Sequence, residues 1–372
     1  MIRVLHVLSS LEAGGGVQQM LYNYYGHMDR DSIRFDFIVH GEKTGKLEKA
    51  FEVWGCRIFH VTAKKKSLRR NLKDLEQVVK SGNYDIMHCH QGLKGFFALR
   101  IAKKHGIAIR LSHSHQGPQS ENVALSLINI IFRLLLKHYA THWLACSEHA
   151  GKWAYGKNAM KSEKFRLFHN AVELEKFSFS ESVRKEVREE LGLADKLVIG
   201  SIARFVHLKN HKFLITVFNE VYRREKDAVL LLIGGGELES ELRRQVEDLG
   251  LTRAVRFLGL RDDVPRLMQA FDLFITTSHS EGLSMVLAEA QAAGLSSLAA
   301  DSITKELNVT GLITYISLDE EADVWAREAL RLARHGCRTD TAEIIRTAGY
   351  DIKREAPALG GFYCGLLNDG ME

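Results

Sequence analysis

Two glutamates are the residues of this sequence whose placement most strongly suggests chemistry. Glu281 and Glu289 are separated by seven residues in EGLSMVLAEAQAAG, and the segment Ser284 to Ala293 is apolar around its whole circumference at the helical repeat. A helix that is apolar on every side is normally buried. A carboxylate on such a helix is costly unless something pairs or hydrogen-bonds with it. The pattern therefore raises the question of what Glu289 holds.

Two cations stand at the start of the second half of the chain. Arg204 and Lys209 lie just past a predicted strand, Leu197 to Ile202, and before a helix that Asn210 is predicted to cap. Fixed cations at the end of a strand suit a diphosphate, because they neutralise the charge that builds on a leaving group. Without further context, two ordinary surface cations are an equally good interpretation.

Two glycine-rich turns follow predicted strands. Gly14, Gly15 and Gly16 open the first helix, and Gly235 lies in a second run of three glycines. Glycines at such turns let a phosphate or another ligand approach the backbone N–H groups. The spacing is neither GxGxxG nor that of a P-loop, which weakens a dinucleotide or ATPase interpretation. A plain flexible turn accounts for each of them equally well.

Histidines stand at the ends of two predicted strands of the first half. They are His88 and His90 in MHCHQG and His113 and His115 in LSHSHQG. Alternate residues on a strand share a face but do not by themselves form a tetrahedral site, and no carboxylate has a matched spacing. We therefore predict no metal, and favour a polar cleft lining that includes His88, His90 and His113. A buried core histidine is the second interpretation and a metal site the last.

Composition limits the classes of protein. The chain has 372 residues, 45% of them hydrophobic and 26% charged, which is typical of a globular protein with two domains. Five cysteines at irregular distances, without a CxxC pair, indicate neither a disulfide framework nor a zinc ribbon and are typical of the reducing cytoplasm. The N-terminal apolar run is too short and too interrupted for a secretory signal, and no window approaches about 18 continuous apolar residues. We therefore expect a cytoplasmic chain that does not span a membrane.

Two segments suggest surface partners. The basic run Lys64 to Arg70 would suit nucleic acid or anionic lipid, but no aromatic residue is interleaved, so a solvated loop leading into a helix is favoured and no nucleic acid is expected. The apolar stretch Val123 to Tyr139 would suit a membrane surface or a lipid-linked substrate, helped by Arg133, Lys137 and His138. Packing of this helix against the sheet is the favoured interpretation.

Strand and helix patterns alternate twice along the chain. The first alternation runs from Ile2 to Phe168, and the second from Leu197 to Ala299, after a short connecting helix, Ser180 to Leu191, that ends at Gly192. Such alternation predicts an α/β protein with two Rossmann-like, doubly wound domains. Sheets of this kind bind ligands beyond the carboxyl ends of their strands, so the cleft between the two domains is where we expect the function.

The motifs together resemble one family almost from end to end. The segments that carry the resemblance are LHVLSSLEAGGG, NYYGHMDRDSIRFDFIVHG, YDIMHCHQG, RLSHSHQG, ACSEHAGKWAYG, HNAVELEKF, IARFVHLKNHKFLI, LLLIGGGELE, VRFLGLRDDVPRLMQAFDLFITTSHSEGLSMVLAEAQAAGL and DSITKE. The chain resembles the family 4 glycosyltransferases of the GT-B type, and among them the bacterial exopolysaccharide and capsule enzymes. The resemblance implies two Rossmann-like domains facing each other across a cleft. It implies an acceptor-side domain at 1–175, a nucleotide-sugar domain at 176–345, and a helical tail at 346–372 that crosses back to the first domain.

The resemblance also implies a reaction. A sugar would pass with retention from a nucleotide diphosphate sugar, UDP before GDP, to a hydroxyl of a glycan or lipid-linked acceptor, without an obligatory metal or other cofactor. The leaving phosphate would accept the acceptor's proton. Peripheral contact with the inner face of the membrane is the alternative that the apolar stretch Val123 to Tyr139 leaves open. The implied donor contacts are Arg204 and Lys209 on the diphosphate, Glu281 with Gly282, Leu283 and Ser284 at the sugar, Glu289 on the ribose, Gly235, the turn Gly14, Gly15 and Gly16, and His115, or less favourably His113, beside the transferred sugar.

The sequence departs from the family pattern at a few positions. Ala203 stands where glycine is common, Ser284 where proline often follows EGL, and Gln18 near a position that is often acidic. Serine is a good helix N-cap, so Ser284 is expected to preserve the turn. A nucleotide-sugar epimerase and a catalytically silent binding scaffold are the alternatives. An NAD oxidoreductase ranks last, because no acidic residue ends the second strand at Val39 to Gly41.

Overall fold

The chain divides into two compact units. The computed structural model describes residues 1–12, 15–115 and 123–368, except for the side chains at 123–126. One unit comprises Met1–Ala171 together with the segment that begins at Ile352, and the other is Val172–Asp351. The boundaries predicted from the sequence, after residues 175 and 345, differ from these by a few positions.

The first unit is built on a parallel sheet covered by helices. Its strands are β1 (Ile2–Val7), β2 (Ile33–His40), β3 (Ile58–Val61), β4 (Ile86–Cys89), β5 (Ile109–Ser114), β6 (His142–Ala145) and β7 (Phe165–Leu167). Its helices are α1 (Gly16–Gly26), α2 (Glu48–Val53), α3 (Leu68–Ser81), α4 (Phe96–Lys104), α5 (Val123–Tyr139) and α6 (Glu148–Tyr155). The strand order is β3-β2-β1-β4-β5-β6-β7. Burial of the sheet on both faces explains why the strands read as short apolar runs.

The second unit repeats the plan with a six-stranded parallel sheet. Its helices are α7 (Leu174–Phe177), α8 (Glu181–Glu190), α9 (His211–Arg224), α10 (Glu239–Asp248), α11 (Val264–Gln269), α12 (Met285–Ala292), α13 (Ala322–His335) and α14 (Ala342–Thr347). Its strands are β8 (Leu197–Ile202), β9 (Ala228–Ile233), β10 (Val255–Gly259), β11 (Leu273–Thr276), β12 (Ser297–Ala300) and β13 (Ile313–Ile316). The order is β10-β9-β8-β11-β12-β13. The predicted α/β architecture is therefore confirmed, and the overall fold is of the GT-B type.

Each sheet contains a topological switch point. In the first sheet β1 lies between β2 and β4, and in the second sheet β8 lies between β9 and β11. The connections leave in opposite directions on either side of such a strand, which opens a crevice at the carboxyl ends of the neighbouring pair. The loops that follow β1, β4, β8 and β11 are therefore the ones that the fold places at these two crevices.

The connecting helix and the basic run follow the sequence predictions. Ser180 accepts a hydrogen bond from the backbone N–H of Val183 at the start of α8, and Gly192 after its end has a φ of +59°. The basic run is a turn leading into α3, with most of its cations exposed. Ser67 caps that helix by accepting from the backbone N–H of Arg70.

The last helix, α15 (Ile352–Asn368), belongs to the first unit and packs against α1. Pro357 and the pair Gly360 to Gly361 are residues that interrupt an isolated helix, but this helix continues through both. Tyr363 is fully buried in the core of the first unit, and Gly360 brings the helix close to Ile33, where an added Cβ would lie 3.2 Å from the Ile33 side chain. Packing of this face outweighs the backbone hydrogen bond that a proline removes.

The favoured interpretation of α5, packing against the sheet, is wrong for one side of the helix. Leu136 is fully buried, but five large apolar side chains that precede it are exposed. They are Leu127, Ile128, Ile130, Ile131 and Leu134, which we call the α5 apolar face. Among the described residues no helix has the length and apolar character needed to cross a bilayer.

Candidate active site

An ion pair stands at the switch point of the second sheet. Lys209 follows β8 and Glu281 follows β11, and the Lys209 Nζ atom lies 2.8 Å from Glu281 Oε1. The two side chains are only 21% and 9% exposed. Arg204, two residues after β8, is exposed, and within the described part of the chain its side chain has no hydrogen bond or ion pair. Of these two cations after β8, Arg204 thus has no described partner and Lys209 is held by a carboxylate.

Backbone contacts fix the two loops that carry this pair. Lys209 ends a short 3₁₀ turn, and Asn210 after it adopts a left-handed conformation with a φ of +52°. The Asn210 carbonyl accepts from Thr277 Oγ1 at 2.9 Å, and the His279 N–H donates to the Leu208 carbonyl at 2.9 Å. Asn210 occupies the N-cap position of α9 as predicted, but its side chain makes no capping hydrogen bond. One side chain–backbone and one backbone–backbone hydrogen bond therefore join the two loops.

Glu281 is held in its charged form. Burial alone would raise the pKa of its carboxyl, but the charge and hydrogen bond of Lys209 and the hydroxyls of Ser278 and Ser284 together bring this pKa below its ordinary value. The Ser278 hydroxyl donates to Glu281 Oε1 at 2.6 Å. Ser284 precedes α12 at the N-cap position, as expected, but it makes no capping hydrogen bond, and its hydroxyl contributes to Glu281 instead.

Glu289 lies on α12 and is in a very different state. Met285, Leu287 and Ala288 around it are buried, as the all-apolar pattern predicted, whereas Glu289 itself is partly exposed. No ion pair or hydrogen bond to its carboxylate occurs among the residues that the structure describes. Burial raises the pKa of Glu289 to about 8. The predicted compensation for this carboxylate is therefore not supplied by the described residues, and a ligand that donates hydrogen bonds would provide it.

The three glycines after β9 have different roles. Gly234 has a φ of +142°, and a Cβ there would lie 2.0 Å from the Ala203 carbonyl oxygen. A Cβ on Gly236 would lie 2.5 Å from the Phe205 carbonyl oxygen. Gly235 between them has open space, with the nearest atoms at 3.8 Å. The outer glycines are needed for packing of the loop, and Gly235 alone is free to leave room for a ligand.

A cavity of about 300 Å³ adjoins the loop that carries Lys209. It is lined by His207, Leu208, Asn210, His211, Lys212, Leu238 and His279. His211 is buried, and neither of its ring nitrogens has a hydrogen-bond partner in the described part of the chain. Sequence reasoning did not single out these histidines, although two of them flank Lys209 in the stretch VHLKNH.

The glycine turn of the first unit is only partly described. Gly14 lies outside the described residues, while Gly15 is the N-cap of α1 and makes no side-chain capping bond. A Cβ on Gly16, the first residue of α1, would meet no atom within 4 Å. Gln18 donates from Nε2 to the Ser10 carbonyl at 2.9 Å and so closes the loop on itself. The N-cap residue has no side chain that could cap the first N–H groups of this helix, and these groups are suitable donors to an anion.

The favoured interpretation of the histidines as cleft lining is wrong. His88 and His113 have no exposed surface and His90 is 8% exposed, so the three are core residues of the first unit, while His115 is partly exposed. Burial lowers the pKa of His88, His90 and His113 well below the usual range, and the charges of neighbouring histidines lower it further. At His113 a hydrogen bond with the Phe168 backbone raises the pKa and so opposes this shift in part. Burial also lowers the pKa of His115 to about 3. The rings are therefore uncharged at neutral pH.

Sequence reasoning also missed His6, which lies on β1 and is fully buried. It was the one polar residue in the middle of an apolar strand, which is the signal that would have found it. With it, two groups of three histidines have ring nitrogens close enough to hold a metal ion: His6, His88 and His90, and His90, His113 and His115. In the described residues no such group includes Glu281, Glu289 or a neighbour of Lys209.

Comparison with known proteins assigns the class. Residues 183–312 match the model of glycosyl transferases group 1, and residues 14–176 match that of glycosyltransferase family 4. Together with two doubly wound sheets, these matches define a glycosyltransferase of the GT-B type. Over 371 residues the chain is 33% identical to a putative glycosyltransferase, EpsF, of Bacillus subtilis, which covers 97% of this chain and 96% of that protein. The chain belongs to glycosyltransferase family 4.

Two further relatives extend the comparison. The chain is 26% identical over 233 residues to the UDP-Gal:alpha-D-GlcNAc-diphosphoundecaprenol alpha-1,3-galactosyltransferase of Escherichia coli, covering 61% of this chain and 60% of that one. Among solved structures, Anabaena Alr3699/HepE in complex with UDP-glucose matches with a TM-score of 0.77 at 20% identity, over 98% of this chain and 100% of that one. The second likeness is one of fold.

Proposed function

We propose that this enzyme is a retaining glycosyltransferase that moves a sugar from a nucleotide diphosphate sugar, foremost a UDP-sugar, to a hydroxyl of a glycan or lipid-linked acceptor in exopolysaccharide assembly. The observation that carries the proposal is the buried pair of Lys209 and Glu281 at the switch point, with a second carboxylate, Glu289, that has no described partner. A UDP-sugar is supported by the E. coli relative, whose name gives UDP-Gal as its donor, and by the Anabaena structure with UDP-glucose.

In this proposal Arg204 and Lys209 hold the diphosphate. Lys209 is already fixed by Glu281 at 2.8 Å, so little ordering of this side chain is needed when the donor binds. The two cations stabilise the negative charge that develops on the leaving diphosphate. Since they supply this neutralisation, we propose no obligatory metal and no other cofactor, and expect transfer to persist in excess EDTA.

The remaining donor contacts follow from the loops around this pair. We assign the charged Glu281 to the hydroxyls of the donor sugar, with Gly282, Leu283 and Ser284 supplying backbone contacts beside it. Gly235 leaves room for the donor because its Cβ position is open. We assign Glu289 to the ribose, whose two hydroxyls would donate to the carboxylate and compensate its charge.

In the first unit we assign the turn Gly14, Gly15 and Gly16 to the donor diphosphate and His115 to the transferred sugar. The uncapped N–H groups at the start of α1 suit the first role. An uncharged imidazole suits the contact with the transferred sugar, because it can donate one hydrogen bond to a sugar hydroxyl or accept one from it. The leaving phosphate takes the acceptor's proton on the same face, so that no activated protein nucleophile is required.

We propose that the acceptor is presented at the inner face of the cytoplasmic membrane and that the α5 apolar face rests there. The E. coli relative, by its name, acts on an acceptor linked to diphosphoundecaprenol. The cations that the sequence offered as helpers are engaged elsewhere, since Arg133 donates to the Trp153 carbonyl at 2.6 Å and Lys137 to that of Tyr155 at 3.4 Å. Binding would therefore depend on apolar contact, and Ile131→Asp would reduce cosedimentation with phosphatidylglycerol vesicles. Equal sedimentation of wild type and variant would refute this step.

A transfer assay with matched variants tests the proposed function. The purified chain is supplied with UDP-glucose, UDP-galactose, UDP-N-acetylglucosamine or GDP-mannose, with and without a polyprenyl-diphosphate-linked sugar acceptor. We expect Lys209→Ala to lower kcat roughly 100-fold or more, the range found when one donor to a developing charge is removed. Lys196→Ala is the control, since Lys196 forms an exposed pair with Asp227.

The outcomes separate the enzyme classes. Transfer that requires an acceptor and is lost in Lys209→Ala supports the proposal. Conversion of the nucleotide sugar to its epimer without any acceptor would assign an epimerase instead. Binding of UDP with no turnover of any donor would favour a silent scaffold, and full activity in Lys209→Ala would remove the role given to that cation.

A further inference from the structure

Five histidines on three neighbouring strands form one buried cluster in the first unit. His6 on β1 pairs in register with His88 on β4, and His90 and His113 each lie further toward the carboxyl ends of β4 and β5. His115 follows β5 directly. Strands of a parallel sheet point alternate side chains to the same face, so all five rings come from one face of the sheet.

The rings are joined in two hydrogen-bonded series. In the first, His6 Nδ1 lies 3.0 Å from His90 Nε2, and His90 Nδ1 lies 2.9 Å from His115 Nε2. In the second, the Tyr363 hydroxyl lies 2.7 Å from His88 Nδ1, and His88 Nε2 lies 3.2 Å from His113 Nδ1. Each series therefore links a deep residue to a residue at the carboxyl edge of the sheet.

These hydrogen bonds do not satisfy the cluster. His113 Nε2 and His115 Nδ1 are buried atoms with no hydrogen-bond partner among the described residues, and the same holds for His6 Nε2. A buried polar atom left without a partner costs about 1–3 kcal/mol, and native proteins contain few of them. Two of the three atoms belong to His113 and His115, whose ring nitrogens lie within 4.8 Å of one of His90, so a ligand shared by these residues would remove part of that cost.

The spacing of the nitrogens suits a metal ion. Two ligand nitrogens on a tetrahedral ion with metal–nitrogen bonds of about 2.0–2.1 Å are about 3.3 Å apart. His90 Nδ1 and His115 Nε2 lie 2.9 Å apart, and His90, His113 and His115 can each bring one ring nitrogen within 4.8 Å of the others. Small rotations of the rings are enough to turn such pairs toward a shared ion.

We propose that His90, His113 and His115 bind a divalent ion of the late first-row transition series, of the Zn²⁺ class, with a fourth position left for water. The ion supports the histidine cluster and is not required for transfer, and with Nε2 of His115 on the ion its Nδ1–H is left for the sugar hydroxyl of the proposed function. Three imidazoles without a carboxylate select such ions over Mg²⁺ and Ca²⁺, which take oxygen ligands. His115 is partly exposed and gives the ion a way in. The deeper group of His6, His88 and His90 is wholly buried and lacks such an entrance.

His6, His88 and Tyr363 lie deeper in the unit and complete the site by hydrogen-bonding in series with the histidines that bind the ion. His90 would bind the ion through Nδ1, and its Nε2–H would then donate to His6 Nδ1. His113 would bind the ion through Nε2, and its Nδ1–H would donate to His88 Nε2. His88 then donates from Nδ1 to the Tyr363 oxygen. Metal-bound histidines nearly always donate their second N–H in this way, which fixes the tautomer and the orientation of the ring. The two hydrogen-bonded series thus act as the supports of a three-histidine site.

Direct metal binding tests the site independently of glycosyl transfer. Co²⁺ is titrated into the full, tag-free chain carrying Cys337→Ser and Cys364→Ser, because these two cysteines are exposed and would otherwise bind the ion. We expect one equivalent to bind with the visible absorption of a four-coordinate Co²⁺ ion, and Zn²⁺ to displace it. His113→Gln and His115→Ala should each weaken binding roughly 100-fold, and His6→Ala, which removes a support, by about 10–100-fold.

A control variant, and a second use of His115→Ala, keep the result unambiguous. His335→Ala is the control, since His335 is exposed on α13 and its removal should leave binding unchanged. His115→Ala decides the matter if His113→Gln does not fold, because His115 is only partly buried. The proposal is overturned if no stoichiometric Co²⁺ complex forms, or if the complex forms equally well without His115.

Discussion

The protonation state of Glu289 should make nucleotide binding depend on pH. Burial raises the pKa of this carboxyl to about 8 from an ordinary value of 4.5. At pH 7 a group with this pKa is about 90% protonated. If the two ribose hydroxyls donate to the charged form, as we propose, that form is stabilised and the pKa returns toward its ordinary value when UDP binds.

The magnitude follows from this shift. Binding of UDP at pH 7.0 should release about 0.9 proton from Glu289, and at pH 9.0, where the group is already ionised, about 0.1. The fraction of free enzyme with a charged Glu289 increases from about 0.09 at pH 7 to about 0.5 at pH 8. The affinity for UDP should therefore rise about fivefold over that interval.

Isothermal titration calorimetry measures the proton release directly. Binding of UDP is followed at pH 7.0 in buffers of different ionisation enthalpy, and the slope of the observed enthalpy against that quantity gives the number of protons. Glu289→Gln is the matched control, because it keeps the size of the side chain and removes the titration, while protons from UDP itself are common to both proteins. Equal release from wild type and variant would refute the ribose assignment.

The ionisation of Glu289 should also make the free energy of unfolding depend on pH. Between about pH 4.5 and 8 the folded state holds a proton on Glu289 that the unfolded state has lost, so the free energy of unfolding falls as pH rises through this window. The full pKa difference corresponds to about 5 kcal/mol, and partial exposure of the side chain reduces the expected effect to about 2 kcal/mol. Urea denaturation should accordingly find Glu289→Gln more stable than wild type at pH 8 and equal to it at pH 4. A gap that does not grow with pH would contradict this.

Five further variants, one of them a double variant, probe the second unit by urea denaturation and UDP titration. Lys209→Met should lower the free energy of unfolding by about 3 kcal/mol, because it leaves Glu281 buried without its cation, and adding Glu281→Gln should restore most of the loss; an additive double variant would argue against the pair. Gly236→Ala should destabilise the fold, since its Cβ would lie 2.5 Å from a backbone oxygen, whereas Gly235→Ala should keep the melting temperature and weaken UDP binding about tenfold. Equal effects at the two glycines would exclude the separation of roles. Arg338→Met should cost about 3 kcal/mol, because Arg338 donates to four backbone carbonyls, and an unchanged urea midpoint would refute this.

The sequence predicted the carboxyl ends of the strands well, but not which of them would be neighbours. Lys209 and Glu281 were each placed after a strand, and alternating patterns were enough for that. Their contact depends on β8 lying next to β11 rather than next to a later strand, and the order of strands in a sheet is a property of the whole packed unit. The 2.8 Å ion pair therefore needed the structure.

Other predictions were wrong because local patterns do not say which face is covered. The α5 segment is apolar nearly all round, and composition cannot tell that Leu134 would be exposed while Leu136 is fully buried. His113 reads as polar, yet it lies in the core because neighbouring strands bring ring nitrogens of other histidines against it. Pro357 would end an isolated helix, but the apolar contacts of α15 maintain it. In each case tertiary packing overrides a local preference.

The charges at the switch point suggest why the site holds two carboxylates in opposite states. Glu281 is charged because Lys209 lies against it, and the two together are neutral. Burial raises the pKa of Glu289 to about 8, so in the proposed site the exposed Arg204 would be left as the net positive charge at neutral pH. A diphosphate would therefore meet an attractive site, and it would share Lys209 only if the donor sugar compensated Glu281 with hydrogen bonds of its own. A nucleotide without a sugar lacks those donors, which makes the Lys209 and Glu281 pair a means of favouring the complete donor over the diphosphate product.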